Sequence, residues 1–265
     1  MDDLKDDNLF VMLKGEPGTR KSTQALSFPK PQYWFSVDKK MRALKIPMNN
    51  WRINPADVQF DDYSDYDAIR VKLEKLQVTC PFRTVVFDSV TSIGDAINRQ
   101  TIKIKTGTTT KAGGEKGMRI GGINVNSIED YKAENAAFQE VIALSKDIQS
   151  FHKVNIVLIA HVVGERKLDE GAVTHQARII ITGGKAISGK IPAYCDEVYH
   201  FNVESSLDAS KEGNYGCLTV HTGADFARTS LPLPAKIMFG NDPLYDKWIK
   251  PAIEQLNKQP LTTIK

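Results

Sequence analysis

Gly15-Glu16-Pro17-Gly18-Thr19-Arg20-Lys21-Ser22 is the stretch on which the reading turns. It follows a short apolar run, Leu9 to Leu13, and precedes a short helical stretch, Ser22 to Leu26. Strand, glycine-rich turn and helix start in that order build a cradle for phosphate. The turn and helix amides, with the helix dipole, would hold β- and γ-phosphates. Lys21 would neutralise phosphate oxygens. The Ser22 hydroxyl would ligate Mg²⁺, with Thr23 beside it. The competing reading is a plain Gly-Glu-Pro-Gly turn before a basic helix start. One residue departs from the pattern, because Arg20 stands where glycine normally precedes the lysine. Its side chain must point outward or reach phosphate itself.

Working outward, apolar runs alternate with helical patterns. The runs are Leu9–Leu13, Tyr33–Val37, Thr84–Phe87 and Ile156–Ala160. Continuous apolar runs suit parallel strands covered on both faces. Tyr66–Leu76 and Phe138–Ile148 carry apolar residues at helical spacing. The second half changes character. Ile179–Ile181, Val198–Val203, Cys217–His221 and Lys236–Phe239 read as further strands, with a hairpin around Gly213-Asn214. A closing helix is expected over about 243–257, kinked or delayed by Pro251. The fold expected is α/β, one domain over 1–265, with a mainly parallel sheet flanked by helices and antiparallel strands toward the C-terminus. Two segments read as loops: a mobile, glycine-rich insertion at about 103–126, and 164–189 around one short strand.

Composition sets the outer bounds. Thirty-five basic and 32 acidic residues give a net charge of +3, too small to announce nucleic-acid binding, so any basic surface is local. Cys80, Cys195 and Cys217 are far apart and form no C-x-x-C pair, which disfavours disulfides and zinc and fits a reducing cytosol. No run approaches membrane-spanning length, and the acidic start, Met1 to Asp7, does not resemble a signal peptide. A cytoplasmic protein without a membrane partner is expected.

Three polar residues end the other apolar runs. Asp88 closes Thr84–Phe87, where a carboxylate would hold Mg²⁺ through water; the local alternative is a helix cap. Ser89 follows it, so a catalytic base must come from elsewhere. Asp38 closes the second run and is the candidate base; the alternative is a solvated turn residue beside Lys39 and Lys40. His161 closes the fourth run and would touch the γ-phosphate; the alternative is a histidine satisfied by backbone carbonyls.

This order resembles the RecA/KaiC-type P-loop ATPases, and more closely the compact phage-encoded members of that group, some of them annealing or recombination proteins. Thr182–Pro192, Cys195–Val198 and Ala227–Thr229 resemble the phage group too. The resemblance implies ATP and Mg²⁺ as cofactors. It matches Gly15 through Thr23 to the nucleotide loop, Ser22 and Asp88 to the metal and Lys21 to the phosphates. Asp38 falls where the family usually has a glutamate, and His161 at a γ-phosphate sensor. Arg228 falls near a basic residue that reaches nucleotide, sometimes across a subunit interface. The resemblance also implies a ring or filament, single-stranded DNA as substrate, and phage or host replication or recombination proteins as partners. DNA contacts would come from the loops after the third and fourth strands: Lys103, Lys105, Lys111, Lys116 and Arg119 in one, Arg166, Lys167, Lys185 and Lys190 in the other. The first loop has no aromatic residue for base stacking, and the competing reading makes it a solubilising insertion. Two other functions compete: a nucleotide-dependent structural or regulatory protein with little turnover, and a P-loop small-molecule kinase with its lid at 105–122.

Overall fold

Strand β1, Phe10–Gly15, shows how the sheet is built. Phe10 and Met12 enter one apolar core and Val11 and Leu13 the other. Alternate side chains of a strand point to opposite faces, so an unbroken apolar run is what a sheet covered on both sides demands. The same division recurs at Tyr33 and Phe35 against Trp34, and at Val85 and Phe87 against Val86. The structure, a computed structural model, describes residues 8–108, 119–120, 123–124, 128–169, 172–180, 189–204, 214–223 and 225–258.

The remaining strands are β2 (Gln32–Ser36), β3 (Val58–Asp62), β4 (Thr84–Asp88), a short pair β5 (Arg119–Ile120) and β6 (Ile123–Asn124), β7 (Asn155–Asp169), β8 (Ala172–Ile180), β9 (Glu197–Glu204), β10 (Asn214–Leu218) and β11 (Lys236–Met238). The main sheet runs β11-β10-β9-β1-β7-β4-β2-β3, with β8 paired to the far part of β7. Neighbours from β9 to β3 are parallel, while β8, β10 and β11 pair antiparallel. This is the expected α/β sheet with antiparallel strands toward the C-terminus. One core is roofed by α3 (Tyr66–Val78), α4 (Val90–Thr108) and α5 (Ile128–His152), through residues such as Leu73, Ile93 and Phe138. The other lies under α1 (Lys21–Ala25) and α6 (Lys250–Lys258), with α2 (Lys45–Asn50) at its rim.

Three expectations change. The insertion does not begin at 103. Helix α4 runs on to Thr108, because Ile93, Ile97, Thr101 and Ile104 keep helical spacing past the point where glycines begin. Lys103 and Lys105 are therefore helical and Arg119 lies in a strand, while Lys111 and Lys116 fall outside the described residues. The segment from Gly164 is not a loop around one short strand. Strand β7 continues through it and pairs with β8 as a long hairpin, from Val162 opposite Ile180 to Asp169 opposite Ala172. β-Branched residues paired at its base, Val162-Val163 opposite Ile179-Ile180, favour that extension. The closing helix starts with a π turn, Tyr245–Ile249, before α6. Pro251 has no N–H to continue an α ladder backward, which matches the wider register before it. The expected mobility of 103–126 and the tip residue Gly213 lie in part outside the described residues. No described helix is long and apolar enough to cross a membrane.

Phe35 is fully buried and stacks on Phe87, ring centroids 4.7 Å apart and planes 1° from parallel. Phe35→Ala is expected to cost about 3–5 kcal/mol, read as a shift in urea midpoint with unchanged slope.

Candidate functional site

The carboxyl ends of the parallel strands meet at one crest. Gly15 lies opposite His161, and Ser36 opposite Asp88. The other three apolar runs end there in polar residues, Asp38, Asp88 and His161, because the sheet leaves its two cores at that edge.

The loop is shaped by close approach and backbone sign. A Cβ on Gly15 would stand 2.5 Å from the Phe201 carbonyl oxygen of β9. Gly18 has φ +82, a conformation side chains rarely adopt. Thr19 donates its hydroxyl to the Glu16 carbonyl at 2.8 Å. Lys21 folds back under the loop, donating to the Gly15 and Glu16 carbonyls at 2.9 and 2.8 Å. Burial lowers the Lys21 pKa to about 8, although Asp88, Asp38 and Glu16 oppose the shift.

Pro17 through Thr23 line a cleft of about 300 Å³, together with Asp38, Lys40, Asp88 and His161. Glu16 instead faces a recess against His200 to Val203. Arg20 resolves its own ambiguity. It keeps the left-handed backbone of a glycine, φ 66, and sends its guanidinium away from the phosphate side, to the Gly240 carbonyl and the Asn241 side chain.

Asp88 is nine-tenths buried, which raises its pKa; a hydrogen bond from Ser22 works the other way. Ser22 hydroxyl and Asp88 carboxylate are therefore in contact, a pair of hard oxygens that would suit Mg²⁺. A bound Mg²⁺ would supply charge neutralisation at the phosphate oxygens. Asp88 does not cap the next helix. Ser89 does, with its hydroxyl accepting from the Ser92 amide at 3.3 Å.

Asp38 is not a solvated turn residue. Only 8% of its side chain is exposed, 3.5 Å from His161 Nε2. Ser92 and Ser89 donate to it, and Lys40 stands 3.7 Å away. Burial alone would raise its pKa, but His161, Ser92, Lys40 and Ser89 together hold the carboxyl well below the usual carboxylate range. Such a carboxylate orients its neighbours better than it accepts protons. Its position is set by backbone: the Val37 and Asp38 amides both donate to the Asp88 carbonyl, at 2.8 and 3.1 Å. The other ring nitrogen of His161, Nδ1, is buried without a hydrogen-bond partner. A buried donor or acceptor left so is what an incoming phosphate or water would satisfy.

Lys21, Ser22, Asp38, Asp88 and His161 thus come together. Arg228 does not join them within the chain. It bridges Val198, which pairs with Met12, so it sits about 10 Å down the sheet from Gly15. Its guanidinium bonds the Cys195 carbonyl. Arg166 and Lys167 lie in β7 beyond His161, and Lys190 is exposed before the 3₁₀ turn Ile191–Tyr194; Lys185 falls outside the described residues. Sequence reasoning missed Ser92 and Lys40. The Ser89-x-x-Ser92 spacing at a helix start was the available signal.

Three comparisons bear on the chain. A sequence-family model described as an AAA domain matches residues 7–231. Among solved structures, a KaiC-like protein from the hyperthermophilic archaeon Pyrococcus horikoshii is similar at 13% identity and a TM-score of 0.44, over 89% of this chain and 87% of that one. No curated protein gives a significant match.

The lowered Lys21 pKa makes phosphate binding proton-linked. Anionic phosphate restores the charged amine, so above pH 8 binding must take up a proton. Affinity for a polyphosphate is expected to be flat just below pH 8 and to fall by up to about tenfold per unit above it. Stability has the opposite slope between pH 8 and 10.5, because the unfolded chain then binds more protons at Lys21. Titration calorimetry and denaturant melts from pH 7 to 10 check both slopes.

Proposed function

The chain belongs to the AAA-domain family, the matched residues covering most of its length and including its P-loop, and from this we propose that it binds Mg²⁺-ATP, hydrolyses it and acts on single-stranded DNA in phage replication, annealing or recombination. The single observation behind the reading is the meeting of Lys21, Ser22, Asp88, Asp38 and His161 around one cleft. Lys21 and the loop amides hold the phosphates. Ser22 would hold the metal directly and Asp88 through water. Asp38 fixes His161, whose buried nitrogen faces the γ-phosphate and the water that attacks it.

His161 also begins the outward run of β7 that carries Arg166 and Lys167. Loss of the γ-phosphate would be felt by the first residue of that run, and strand pairing would carry it toward the basic positions that track DNA phosphates. Arg228 meets nucleotide only from a neighbouring copy, so the reading includes a ring or filament working in a cytoplasm, that of the host for a phage protein.

One observation favours a second reading, a nucleotide-gated structural protein with little turnover. The depressed Asp38 carboxyl is a weak proton acceptor. The two readings separate in one assay: Mg²⁺-ATP hydrolysis with and without single-stranded DNA, beside Lys21→Ala. DNA-stimulated turnover that falls roughly 10²-fold in the variant supports the motor. Tight ATP binding with no turnover, indifferent to DNA, supports the gate. In the motor, Arg166→Ala with Lys167→Ala is expected to reduce the salt slope of DNA binding by about 1.4, two phosphate contacts fewer; an unchanged slope removes the hairpin from the DNA interface.

A further inference from the structure

The residue that breaks the phosphate-loop pattern is bonded more elaborately than a tolerated substitution needs to be. Arg20 holds φ 66, a conformation that costs a non-glycine residue roughly 1–2 kcal/mol. Its guanidinium lies 3.8 Å over the Tyr215 ring of β10. It donates to the Gly240 carbonyl at 3.0 Å and to the Asn241 side-chain oxygen. Nothing in the phosphate cleft requires these contacts, which go to β10 and to the turn after β11.

That turn walls a second pocket. It holds about 180 Å³ and shares Arg20 and Thr23 with the phosphate cleft. Ile46, Pro47 and Trp51 give it apolar and aromatic surface, and Asn50 and Asn241 give it amide edges. The Trp51 indole donates to the Asn241 main-chain carbonyl at 3.0 Å, so the aromatic wall and the amide edge have a fixed spacing. Arg20 occupies the Asn241 side-chain acceptor, which fixes that amide at the pocket wall. A pocket with an aromatic wall and amide edges fits a purine, whose rim alternates donors and acceptors. Its place suits one end of a nucleotide. Phosphates on Lys21 and Ser22 are followed along α1 by Thr23, and Thr23 is where the two pockets join.

We propose that Arg20 is a positioning residue for nucleobase recognition: acting through Asn241, it builds the wall of a slot that takes the base of the bound nucleotide. The proposal rests on the nucleotide-binding reading above. It carries an unexpected corollary: restoring the usual glycine at position 20 relieves the backbone yet weakens nucleotide binding.

Calorimetric titration of the full chain with Mg²⁺-ATP and with Mg²⁺-tripolyphosphate tests it, since the second ligand has the phosphates and no base. Arg20→Gly and Asn241→Ala are each expected to weaken ATP about tenfold, the worth of a hydrogen bond to a charged group, and to leave tripolyphosphate within about twofold. The double variant should bind ATP no worse than the weaker single variant, because both changes break one device. Arg20→Lys should behave like Arg20→Gly, lacking the planar fork. ATP binding that is unchanged or tighter in Arg20→Gly overturns the proposal. So does equal weakening of both ligands, or losses that multiply in the double variant. Asn241 is exposed, so Asn241→Ala carries the comparison should Arg20→Gly fail to fold. Lys21→Ala separates the two readings: it should weaken both ligands, and if it weakens neither, the nucleotide site itself is misplaced.

Discussion

Two main-chain amides converging on one carbonyl hold the crest together. Val37 and Asp38 leave β2 and donate to Asp88 at the end of β4. Each strand could end in an aspartate without the two ever acting jointly. These bonds bring the carboxylates side by side, and the rest of the arrangement follows from having them there. Two adjacent buried carboxylates repel, so each needs its own source of positive or hydrogen-bonding compensation. Asp88 takes Ser22, and Asp38 takes His161 and two serine hydroxyls. Lys21 lies near both and stays under the loop. The crest is thus a small electrostatic circuit whose parts face a single cleft.

Much of this was readable in the chain because the signals are local. An apolar run ending in Asp88, Asp38 or His161 announces both the strand and the side of the sheet where it ends. The alternation at Phe10 to Leu13 needs no partner to be recognised. Other features depend on partners. Strand β3 buries only Val58 of its five residues, so as an edge strand it has almost no apolar signature. The long hairpin was hidden because 164–180 is rich in charge and glycine, and its pairing is a cross-strand property. Helix α4 outran its expected end because the composition of a glycine-rich window masked the helical phase at its start.

The site divides in the same way. Residue types could name Lys21 and Ser22 as phosphate and metal groups. They could not say that Asp38 is packed among hydroxyls, a fact that changes it from a ready base to an orienting group. Nor could they say where Arg20 goes, because its partners at Gly240 and Asn241 are more than two hundred residues away along the chain. Departures from a motif are where local reading is weakest, since what compensates them is supplied by distant chain.

Strand β7 has a mechanical consequence. It is one unbroken strand whose first half is clamped between β1 and β4 and whose second half, from Val162 to Asp169, is paired, among the described residues, with β8 alone. Eight residues of strand reach about 26 Å. His161 stands at the fulcrum, where clamped beam becomes cantilever. A rotation of about 5° there displaces the far end by about 2 Å, given that length. The irregularity in pairing between Lys167 and Leu168 sits near the tip, so the shaft between fulcrum and that point is in regular register. Geometry alone therefore amplifies a movement too small to disturb the two cores into one of more than half a residue's rise along a strand.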